Sequence, residues 1–399
     1  MLTPAEADAA IAAHLAQTPE EELPLPACAG RVLRQVVHAE RDAPPFDRVA
    51  MDGIAIASRA FRDGRREFRI AGVQPAGTPP LALATPADCI EVMTGASLPS
   101  GCDAVVPVER ISIASGMATI EAGHLPEPWV HVHRRASDAR AGDRLLWGGM
   151  RLGGPEIAIA ASAGLARLRV ARLPRIAVIS TGDELVEPGL PVLDHQVRRS
   201  NSYGLAAALQ LAGYPPATDI HLPDDQAVQE EMLARELDRH EVLVLSGGVS
   251  AGRFDHVPAV MTTLGVRRVF HQVAQRPGRP FWFGVRDRGP AVFALPGNPV
   301  SVLVCLSRYV VPALRAADGA PVPPRPTVVL ARDFEFRPTL TCFLPVALEY
   351  DQQGRMQAVP RPTAGSGDFI SLAATDGFVE LPPAPAMRPA GLVVSFFRW

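Results

Sequence analysis

Residues 175–185, RIAVISTGDEL, contain the pattern that decides the fold. The apolar run 176–179 indicates a buried strand, and the pattern breaks at Gly182. Two adjacent acids, Asp183 and Glu184, follow directly. A buried strand that ends in carboxylates indicates a ligand site at the edge of a sheet. For Asp183 alone, a structural role beside the N-terminal dipole of the next turn is the favoured interpretation.

The same design recurs twice along the chain. EVLVLSGGVSAGRFD (241–255) and AVFALPGNPVS (291–301) are also apolar strands that break into loops of Gly, Ser or Pro. Helical patterns alternate with these strands, at 200–212, 225–240, 256–264 and 299–316. This alternation predicts a parallel sheet with helices on both faces. Because ligands of such sheets bind outside the carboxyl ends of the strands, the three loops are expected to converge on one crevice.

The loops also indicate the kind of ligand. Ser246-Gly247-Gly248 and Pro296-Gly297-Asn298 allow backbone amides to approach a ligand closely, and helix starts add positive dipole ends. Glu184 and Asp255 add carboxylates, and this combination favours a phosphate ester held with a divalent cation. An ordinary tight turn is the alternative for any single loop. Neither GxGxxG nor GxxxxGK(S/T) is present, which disfavours a Rossmann dinucleotide site and a P-loop.

Two arginines lie between the second and third strands. In QRPGRPFWFG (275–284), prolines flank a turn that presents Arg276 and Arg279. Guanidinium groups match phosphate and tetrahedral oxyanions, so an oxyanion site is one interpretation. A solvated turn between two strands fits the pattern equally well.

Composition restricts the class of protein. The chain has 399 residues and a net charge of -3, which predicts several globular domains and no broad basic surface for nucleic acid. None of the 39 basic residues is a lysine, so Schiff-base and Walker A chemistry are excluded. Five scattered cysteines favour a reducing compartment. Thr3-Pro4-Ala5-Glu6 predicts a helix start rather than a signal peptide, and no membrane span is expected, so a cytoplasmic location is predicted.

Changes of pattern along the chain predict four domains. Residues 1–45 with 140–173 form a helical and extended linking or dimerisation domain, and 46–139 form a β-rich domain. Residues 174–320 form the α/β domain, and 321–399 form a C-terminal β domain. The predicted fold class is therefore α/β plus β and multidomain, with a three-layer α/β domain built on a parallel sheet and a small C-terminal domain resembling a β-barrel.

Seven motifs together resemble the molybdopterin molybdenumtransferase family (MoeA and the E domain of gephyrin). They occur in the family's order and extend from near the N-terminus into the C-terminal domain. The motifs are APPFDRVAMDGIA (43–55), EVMTGASLPSGCDAVVPVE (91–109), STGDEL (180–185), LSGGVSAGRFD (245–255), RPGRPFWFG (276–284), LPGNPVS (295–301) and GSGDFISLAATDGF (365–378).

The resemblance implies a reaction and an assembly. Adenylylated molybdopterin and molybdate are the expected substrates, and hydrolysis of the phosphoanhydride with Mg²⁺ is expected to release AMP and molybdenum cofactor. The resemblance also implies a homodimer whose active sites lie between the α/β domain of one subunit and the β-rich domain of the other. Transient contacts with molybdoenzymes or the adenylyltransferase of the pathway are expected, with no nucleic-acid or membrane partner.

The resemblance further assigns roles to individual residues. Asp52, Thr94, Glu184 and Asp255 are expected to be catalytic, and the three acids among them are expected to hold the metal ion. Substrate binding is expected at Asp138, Ser246, Gly247, Gly248, Ser250, Arg276, Arg279, Pro296, Gly297, Asn298, Pro299, Ser301 and Ser366.

Several positions depart from the family pattern. They are Ile54, His133, Ala136, Ser137, Arg199, Arg276, Arg279, Leu340 and Pro345. These changes touch oxyanion recognition more than the acids, and they leave the choice between molybdate and tungstate open. One alternative is therefore a divergent paralogue that binds molybdopterin or nucleotide as a scaffold or chaperone without inserting metal. Another is an unrelated phosphohydrolase built on the same crevice, although the retained acids favour the transferase.

Overall fold

The computed structural model describes residues 1–249, 256–287, 289–321 and 324–399. Its α-helices are Pro4–His14, Ser58–Arg62, Gly154–Ser162, Asn201–Leu211, Gln226–Arg239, Val257–Thr263, Pro299–Cys305 and Val311–Ala317, with a π-helical turn at Leu306–Val310. Short 3₁₀ helices are Leu25–Ala27, Val108–Arg110 and Ile370–Ala374. The strands are Glu20–Pro24, Val37–His38, Arg48–Val49, Gly53–Ile56, Glu67–Gln74, Asp88–Val92, Ala104–Pro107, Ile111–Ala114, Met117–Ile120, Val132–His133, Arg144–Leu146, Arg167–Ala171, Ile176–Thr181, Leu185–Val186, Val197–Arg198, Thr218–Leu222, Val242–Ser246, Val266–His271, Gln275–Arg276, Trp282–Arg286, Ala291–Leu295, Thr327–Leu330, Phe334–Glu335, Thr341–Tyr350, Met356–Pro360, Gly377–Leu381, Met387–Arg388 and Val393–Arg398.

A six-stranded sheet forms the centre of the α/β domain. Its strands lie in the order Thr218–Leu222, Ile176–Thr181, Val242–Ser246, Ala291–Leu295, Trp282–Arg286, Val266–His271. The first four are parallel, and three of these are the strands that the sequence predicts, whereas Trp282–Arg286 is antiparallel to both of its neighbours. The sheet is therefore mixed rather than purely parallel. Two strands that the sequence does not predict, Trp282–Arg286 and Val266–His271, extend it beyond Ala291–Leu295.

Helices cover both faces of this sheet. Val178 packs on the face that also buries Leu205 and Val302, and Ile179 packs on the opposite face with Leu233 and Val260. Successive strand residues point to opposite faces, so a strand that is covered on both sides must be apolar throughout. The continuous apolar runs in the sequence follow from this burial.

The N-terminal half contains a second sheet and a linking unit. Six strands between 53 and 120 form one sheet, as expected for the β-rich domain. Strand Glu20–Pro24 pairs with Arg167–Ala171, so the two separated parts of the predicted linking domain are joined. Helix Pro4–His14 instead packs on the α/β core through Ala7 and Ile11. The sequence does not predict this contact, because the helix lies far from that core along the chain.

The C-terminal domain is a closed barrel of five strands. Thr341–Tyr350 pairs with both Met356–Pro360 and Gly377–Leu381, which closes the sheet. The short strand Gln275–Arg276, from the α/β domain, adds to the edge of Thr341–Tyr350. This pairing fixes the predicted arginine turn against the barrel.

One helical segment, Pro299–Ala317, is long and apolar enough to cross a membrane by length and composition. Its apolar window is 67% buried inside the structure. Val302, Leu306 and Leu314 belong to the core cluster beneath the central sheet. The segment therefore behaves as the core helix of a globular domain.

Candidate active site

The three predicted loops do converge on one crevice. It lies at the carboxyl ends of Ile176–Thr181, Val242–Ser246 and Ala291–Leu295 and encloses about 730 Å³. Of the predicted site residues, the crevice is lined by Glu184, Ser246, Gly247, Gly248, Pro296, Gly297, Asn298 and Pro299. Ser250 and Asp255 lie outside the described residues.

Glycines are required where the backbone of the loops approaches other groups. A Cβ on Gly247, at φ 96°, would lie 2.7 Å from Thr181 Oγ1, and one on Gly248, at φ 70°, would lie 2.7 Å from Val257 Cγ2. Gly182, at φ 136°, lies directly beneath the carboxylate of Glu184, where a Cβ would collide with it. These glycines therefore leave room for the loops and for the acid that folds back over the strand end.

The two adjacent acids have different roles. Asp183 Oδ1 accepts a hydrogen bond of 3.0 Å from the backbone N–H of Asp224, so this carboxylate ties two loops together. Glu184 is exposed on the crevice, and its carboxylate makes no hydrogen bond to any residue that the structure describes. Its backbone is held, since its carbonyl accepts from Val197 N at 2.9 Å. Glu184 is thus a fixed residue with an unused carboxylate, and Asp183 is structural.

Two buried hydroxyl groups lie at the ends of neighbouring strands. Ser180 and Ser246 are direct partners across the parallel pair, and both line the crevice. Neither Oγ atom has a hydrogen-bond partner among the residues of the described ranges, although both residues are almost fully buried. An unsatisfied buried hydroxyl costs about 1–3 kcal/mol, so these two groups mark a place where a ligand can supply the missing bond.

The arginine turn borders a second cavity that adjoins the crevice. This cavity, of about 500 Å³, is lined by Arg276, Arg279 and Ser301, and by Ser366 of the C-terminal domain. It shares Asn298, together with Pro280 and Pro296, with the crevice. Among the described residues neither Arg276 nor Arg279 forms an ion pair, and the acid that lines this cavity, Glu335, is paired with Arg337 instead.

Ser366 connects the barrel to the third loop. Asn298 Nδ2 donates to Ser366 Oγ at 2.8 Å, and the backbone N–H of Val300 donates to the carbonyl of Ser366 at 3.1 Å. The C-terminal domain therefore satisfies one amide at the start of helix Pro299–Cys305. This contact also gives Ser366 a structural role at the boundary of the two cavities.

Asp52 and Thr94 form a separate group in the β-rich domain. Asp52 Oδ1 accepts from the backbone N–H of Thr94 at 2.6 Å and from its hydroxyl at 2.7 Å. These hydrogen bonds hold the pKa of Asp52 below its ordinary value. Neither residue lines the crevice of its own chain.

Asp138 belongs to another bonded group in the same domain. Arg48 donates to His133 Nδ1 at 2.9 Å, so Nε2 carries the ring proton of a neutral His133 and donates to Asp138 at 2.8 Å. The hydrogen bond from His133 holds the pKa of Asp138 below its ordinary range. His133 stands where the resembled family usually has an arginine, and Arg48 supplies a positive charge behind it.

Three functional candidates are missed by the sequence patterns. Arg199 lines the crevice and is ion-paired with Asp219 and, at 3.3 Å, with Glu187. Arg337 lines the second cavity. Asp224 lines the crevice beside Glu184. No periodic pattern marks these residues, since each comes from a connecting segment whose position depends on tertiary packing.

The chain is similar to known proteins over its whole length. Three family descriptions match: MoeA N-terminal region (domain I and II) over residues 2–164, probable molybdopterin binding domain over 177–316, and MoeA C-terminal region (domain IV) over 327–399. A protein of Synechocystis sp. named molybdopterin molybdenumtransferase is 42% identical over 400 residues, which cover 100% of both chains. This chain belongs to the molybdopterin molybdenumtransferase family.

Further family members and solved structures are also similar to this chain. A molybdopterin molybdenumtransferase of Staphylococcus epidermidis is 30% identical over 92% of this chain and 88% of its own. A MoeA crystal structure from Pyrococcus horikoshii has a TM-score of 0.80 at 28% identity, over 100% of this chain and 99% of that one. A second MoeA crystal structure, from Pyrococcus horikoshii OT3, shows the same fold at 24% identity and a TM-score of 0.83 over 100% of both chains.

Membership in the molybdopterin molybdenumtransferase family confirms the predicted resemblance and the multidomain fold class. The predicted enzyme class, a transferase of molybdenum cofactor biosynthesis, is confirmed as well. An unrelated phosphohydrolase is therefore a wrong interpretation. Relatives from Synechocystis, Nostoc and Mycobacterium tuberculosis are all named molybdopterin molybdenumtransferase, and these names do not favour the scaffold alternative.

Proposed function

We propose that the two joined cavities are the active site in which this transferase inserts molybdate into adenylylated molybdopterin and releases AMP. The observation that carries this proposal is a set of groups that lack a partner among the described residues and line two adjoining cavities. The crevice contributes Glu184 and the amides of Gly248 and Gly297, and the neighbouring cavity contributes Arg276 and Arg279. The phosphoanhydride of adenylylated molybdopterin fits the groups of the crevice, and molybdate, an oxyanion, fits the arginines of the neighbouring cavity.

A divalent cation fits the crevice, although the described residues contain no cluster of three or more His, Cys, Asp or Glu side chains. Mg²⁺ commonly uses one or two carboxylates and takes its other ligands from phosphate oxygens and water. Glu184, which is exposed and has no hydrogen bond from its carboxylate to a described residue, supplies one such carboxylate, and Asp255 is proposed as the second. Asp52 of a partner subunit is proposed to lie in or near the same shell.

Each part of the chain then has a step to perform. The amides of Gly248 and Gly297 bind the phosphate oxygens, whereas the N–H of Gly247 already donates to the carbonyl of Leu295 at 3.1 Å. Glu184 and Asp255 would hold a divalent cation, which would offset the charge developing on the leaving phosphate. Arg276 and Arg279 bind molybdate, with Ser301 and Ser366 at the sides of the cavity. Water attacks the phosphoanhydride, which splits into AMP and the phosphate monoester of molybdopterin. The two dithiolene thiols then bind the molybdenum of molybdate and displace one of its oxygens as water, with no change of oxidation state.

The proposed site is shared between two subunits of a homodimer. Asp52, Thr94 and Asp138 are absent from the residues that line the crevice of their own chain. Exposed apolar side chains flank both halves: Met51 and Val108 lie beside Asp52, and Leu193 and Val197 follow Glu184. A dimer that joined these surfaces would cover apolar area and bring both sets of acids together. Such an enzyme is proposed to be cytoplasmic and to contact molybdoenzymes or the adenylyltransferase transiently.

A direct assay tests this function. Purified protein is mixed with adenylylated molybdopterin, molybdate and Mg²⁺, and AMP and active cofactor are measured separately. Equal amounts of both products, each abolished by a chelator, are expected. Tight binding of the substrate without AMP release would overturn the proposal in favour of a binding protein.

Sedimentation at micromolar concentration tests the shared site. A homodimer is expected. A monomer with full activity would remove the proposed contribution of the partner's Asp52.

A further inference from the structure

A buried polar network lies directly behind the arginine turn. Gln275 is 0% exposed, and its Nε2 donates to the carbonyls of Pro277 at 3.3 Å and Gly278 at 3.1 Å. The hydroxyl of Tyr309, itself buried, donates to Gln275 Oε1. Carbonyl oxygens only accept, so Nε2 must face the turn and Oε1 must face Tyr309. The network therefore has one consistent arrangement.

This arrangement determines where the amides of the turn point. The peptide bonds on either side of Gly278 are trans, so each N–H is directed opposite to the carbonyl of the same peptide. Because the carbonyls of Pro277 and Gly278 face Gln275, the N–H groups of Gly278 and Arg279 face away from it. Neither amide donates a hydrogen bond to another part of the described chain. Two successive amides that point the same way form a concave anion site.

Gly278 is the residue that permits this shape. It has φ 89°, and a Cβ there would lie 2.7 Å from Cys305 Sγ and 2.7 Å from Gln275 Nε2. The turn is thus packed closely on its inner side. Its outer side belongs to the cavity of about 500 Å³ that also exposes Arg276 and Arg279.

The direction of Tyr309 depends on the π-helical turn Leu306–Val310. The preceding residue, Arg308, bonds to Asp8 at 2.8 Å and to Glu380 at 2.8 Å. Two adjacent residues of this segment therefore contact different parts of the molecule. Arg308 contacts the N-terminal helix and the barrel, and Tyr309 contacts the residue that holds the arginine turn. A π turn is a local insertion that is frequent at functional sites, and here it aims a phenol at the turn.

We propose that Gln275 and Tyr309 are positioning residues for molybdate. They hold the turn so that the amides of Gly278 and Arg279 bind the oxyanion together with the two guanidinium groups. This proposal rests on the proposed function of the turn as the molybdate site. It adds that affinity comes partly from the backbone and depends on two buried side chains that never touch the ligand.

The test compares two tyrosines. Tyr309→Phe removes one buried hydroxyl and leaves the ring, so Gln275 Oε1 loses its donor and the side chain is held only through Nε2. Tyr214→Phe is the matched control, because Tyr214 is also buried in this domain and donates to Asp318 at 2.9 Å, away from the turn. Molybdate binding is measured by equilibrium dialysis with metal analysis, and KM for molybdate and kcat are measured in the AMP assay. Melting temperature records the structural cost of each change.

Tyr309→Phe is expected to weaken molybdate binding and raise KM for molybdate by about fivefold, the effect of one net hydrogen bond, with kcat nearly unchanged. Tyr214→Phe is expected to lower the melting temperature and leave molybdate binding unchanged. Equal molybdate affinity in the two variants would overturn the proposal. If Tyr309→Phe does not fold, Gln275→Met is measured instead, and wild-type affinity in that variant overturns the proposal too.

The double variant Arg276→Ala with Arg279→Ala distinguishes the positioning role of Gln275 and Tyr309 from the proposed function on which it rests, namely that the arginine turn binds molybdate. Loss of molybdate binding in the double variant, with wild-type binding in Tyr309→Phe, leaves the site in place and removes only the positioning role. Wild-type binding in the double variant means that the turn is not the molybdate site, and the proposed function of the turn fails with it.

Discussion

The crevice of the α/β domain and the acidic groups of the β-rich domain differ in whether their polar side chains have hydrogen-bond partners. In the crevice, the carboxylate of Glu184 and the hydroxyls of Ser180 and Ser246 have no hydrogen-bond partner among the described residues. In the β-rich domain, Asp52 is held by two hydrogen bonds from Thr94, and Asp138 is held by His133. Both regions match motifs of one enzyme family, so the difference concerns their roles in one reaction.

Folded proteins satisfy nearly all of their buried polar groups. Groups that stay unsatisfied at a concave surface therefore indicate where a ligand completes the bonding. Carboxylates that already accept hydrogen bonds have a lowered pKa and a fixed direction, so they present a permanent negative charge. We infer that the crevice receives the substrate, and that the β-rich acids form a rigid charged group that a second subunit brings to it.

The largest expected effect follows from removing the unused carboxylate. Glu184→Gln keeps the size of the side chain but loses the charge that the cation requires. AMP release is expected to fall by about 10² or more, while adenylylated molybdopterin still binds through the loop amides. Raised Mg²⁺ should restore part of the rate. The rates are measured by single-turnover AMP release.

Asp183→Asn is the matched control, because the two acids are adjacent and only their partners differ. Asp183 accepts a hydrogen bond from the backbone of Asp224, so Asp183→Asn is expected to lower the melting temperature. The rate of AMP release is expected to change by less than about threefold. If both variants release AMP at similar rates, the contrast between a used and an unused carboxylate has no catalytic meaning.

The next effect tests whether the two regions meet across subunits. Asp52→Asn and Glu184→Gln chains are each expected to be nearly inactive as pure dimers. Mixed by unfolding and refolding, half of the dimers contain one chain of each kind and hence one intact site, so about a quarter of wild-type activity should return. Differently tagged chains confirm that mixing occurred. Mixed dimers without recovered activity would mean that both acids serve the same subunit's site.

Much of this architecture follows from the sequence. Runs such as 176–179 predict strands that are buried on both faces, and Gly182, Gly247 and Gly297 mark the loops that build the crevice. The strands Thr218–Leu222 and Val266–His271 are not predicted, because edge strands mix polar and apolar residues. The patterns are local, so they also miss the packing of helix Pro4–His14 on the α/β core.

The site is predicted less completely than the fold. The motifs locate Glu184 and the arginine turn and favour a structural role for Asp183, but they do not indicate which residue holds Asp183. That residue is Asp224, which lies 41 positions away from Asp183. Arg199 and Arg337 are missed for the same reason: their positions at the cavities are determined by ion pairs and loop packing. Gln275 and Tyr309 are brought together by a π turn that no sequence period indicates.

A smaller effect concerns the pKa of Asp52. Thr94→Val removes the hydroxyl donor and keeps the backbone N–H, which is the larger of the two causes that lower this pKa. The pKa of Asp52 should therefore rise while staying below its ordinary value. The stabilisation from a carboxyl with a lowered pKa is present above the unfolded pKa and is lost as pH falls through the folded pKa, so the variant should lose this stabilisation at a higher pH. Carbon-detected NMR titration of the Asp52 carboxyl measures the shift, and an unchanged pKa would mean that the hydroxyl does not contribute.

The smallest expected effect has opposite signs in the two regions. Ser246→Ala removes a buried hydroxyl that lacks a partner in the described structure, so the free energy of unfolding is expected to stay the same or rise by up to about 1 kcal/mol. Ser58→Ala in the β-rich domain is the control, because Ser58 is equally buried but donates to Asp103 at 2.7 Å, and its loss should destabilise by about 1–2 kcal/mol.

Chemical denaturation measures both changes, and the affinity for adenylylated molybdopterin is measured alongside. If the crevice hydroxyl serves the ligand, Ser246→Ala binds the substrate more weakly while being no less stable, which is the trade-off expected where a protein keeps a polar group for function. Ser246→Ala that is as destabilised as Ser58→Ala would show that the hydroxyl is satisfied in the free protein, and the contrast between the two regions would then be limited to their acids.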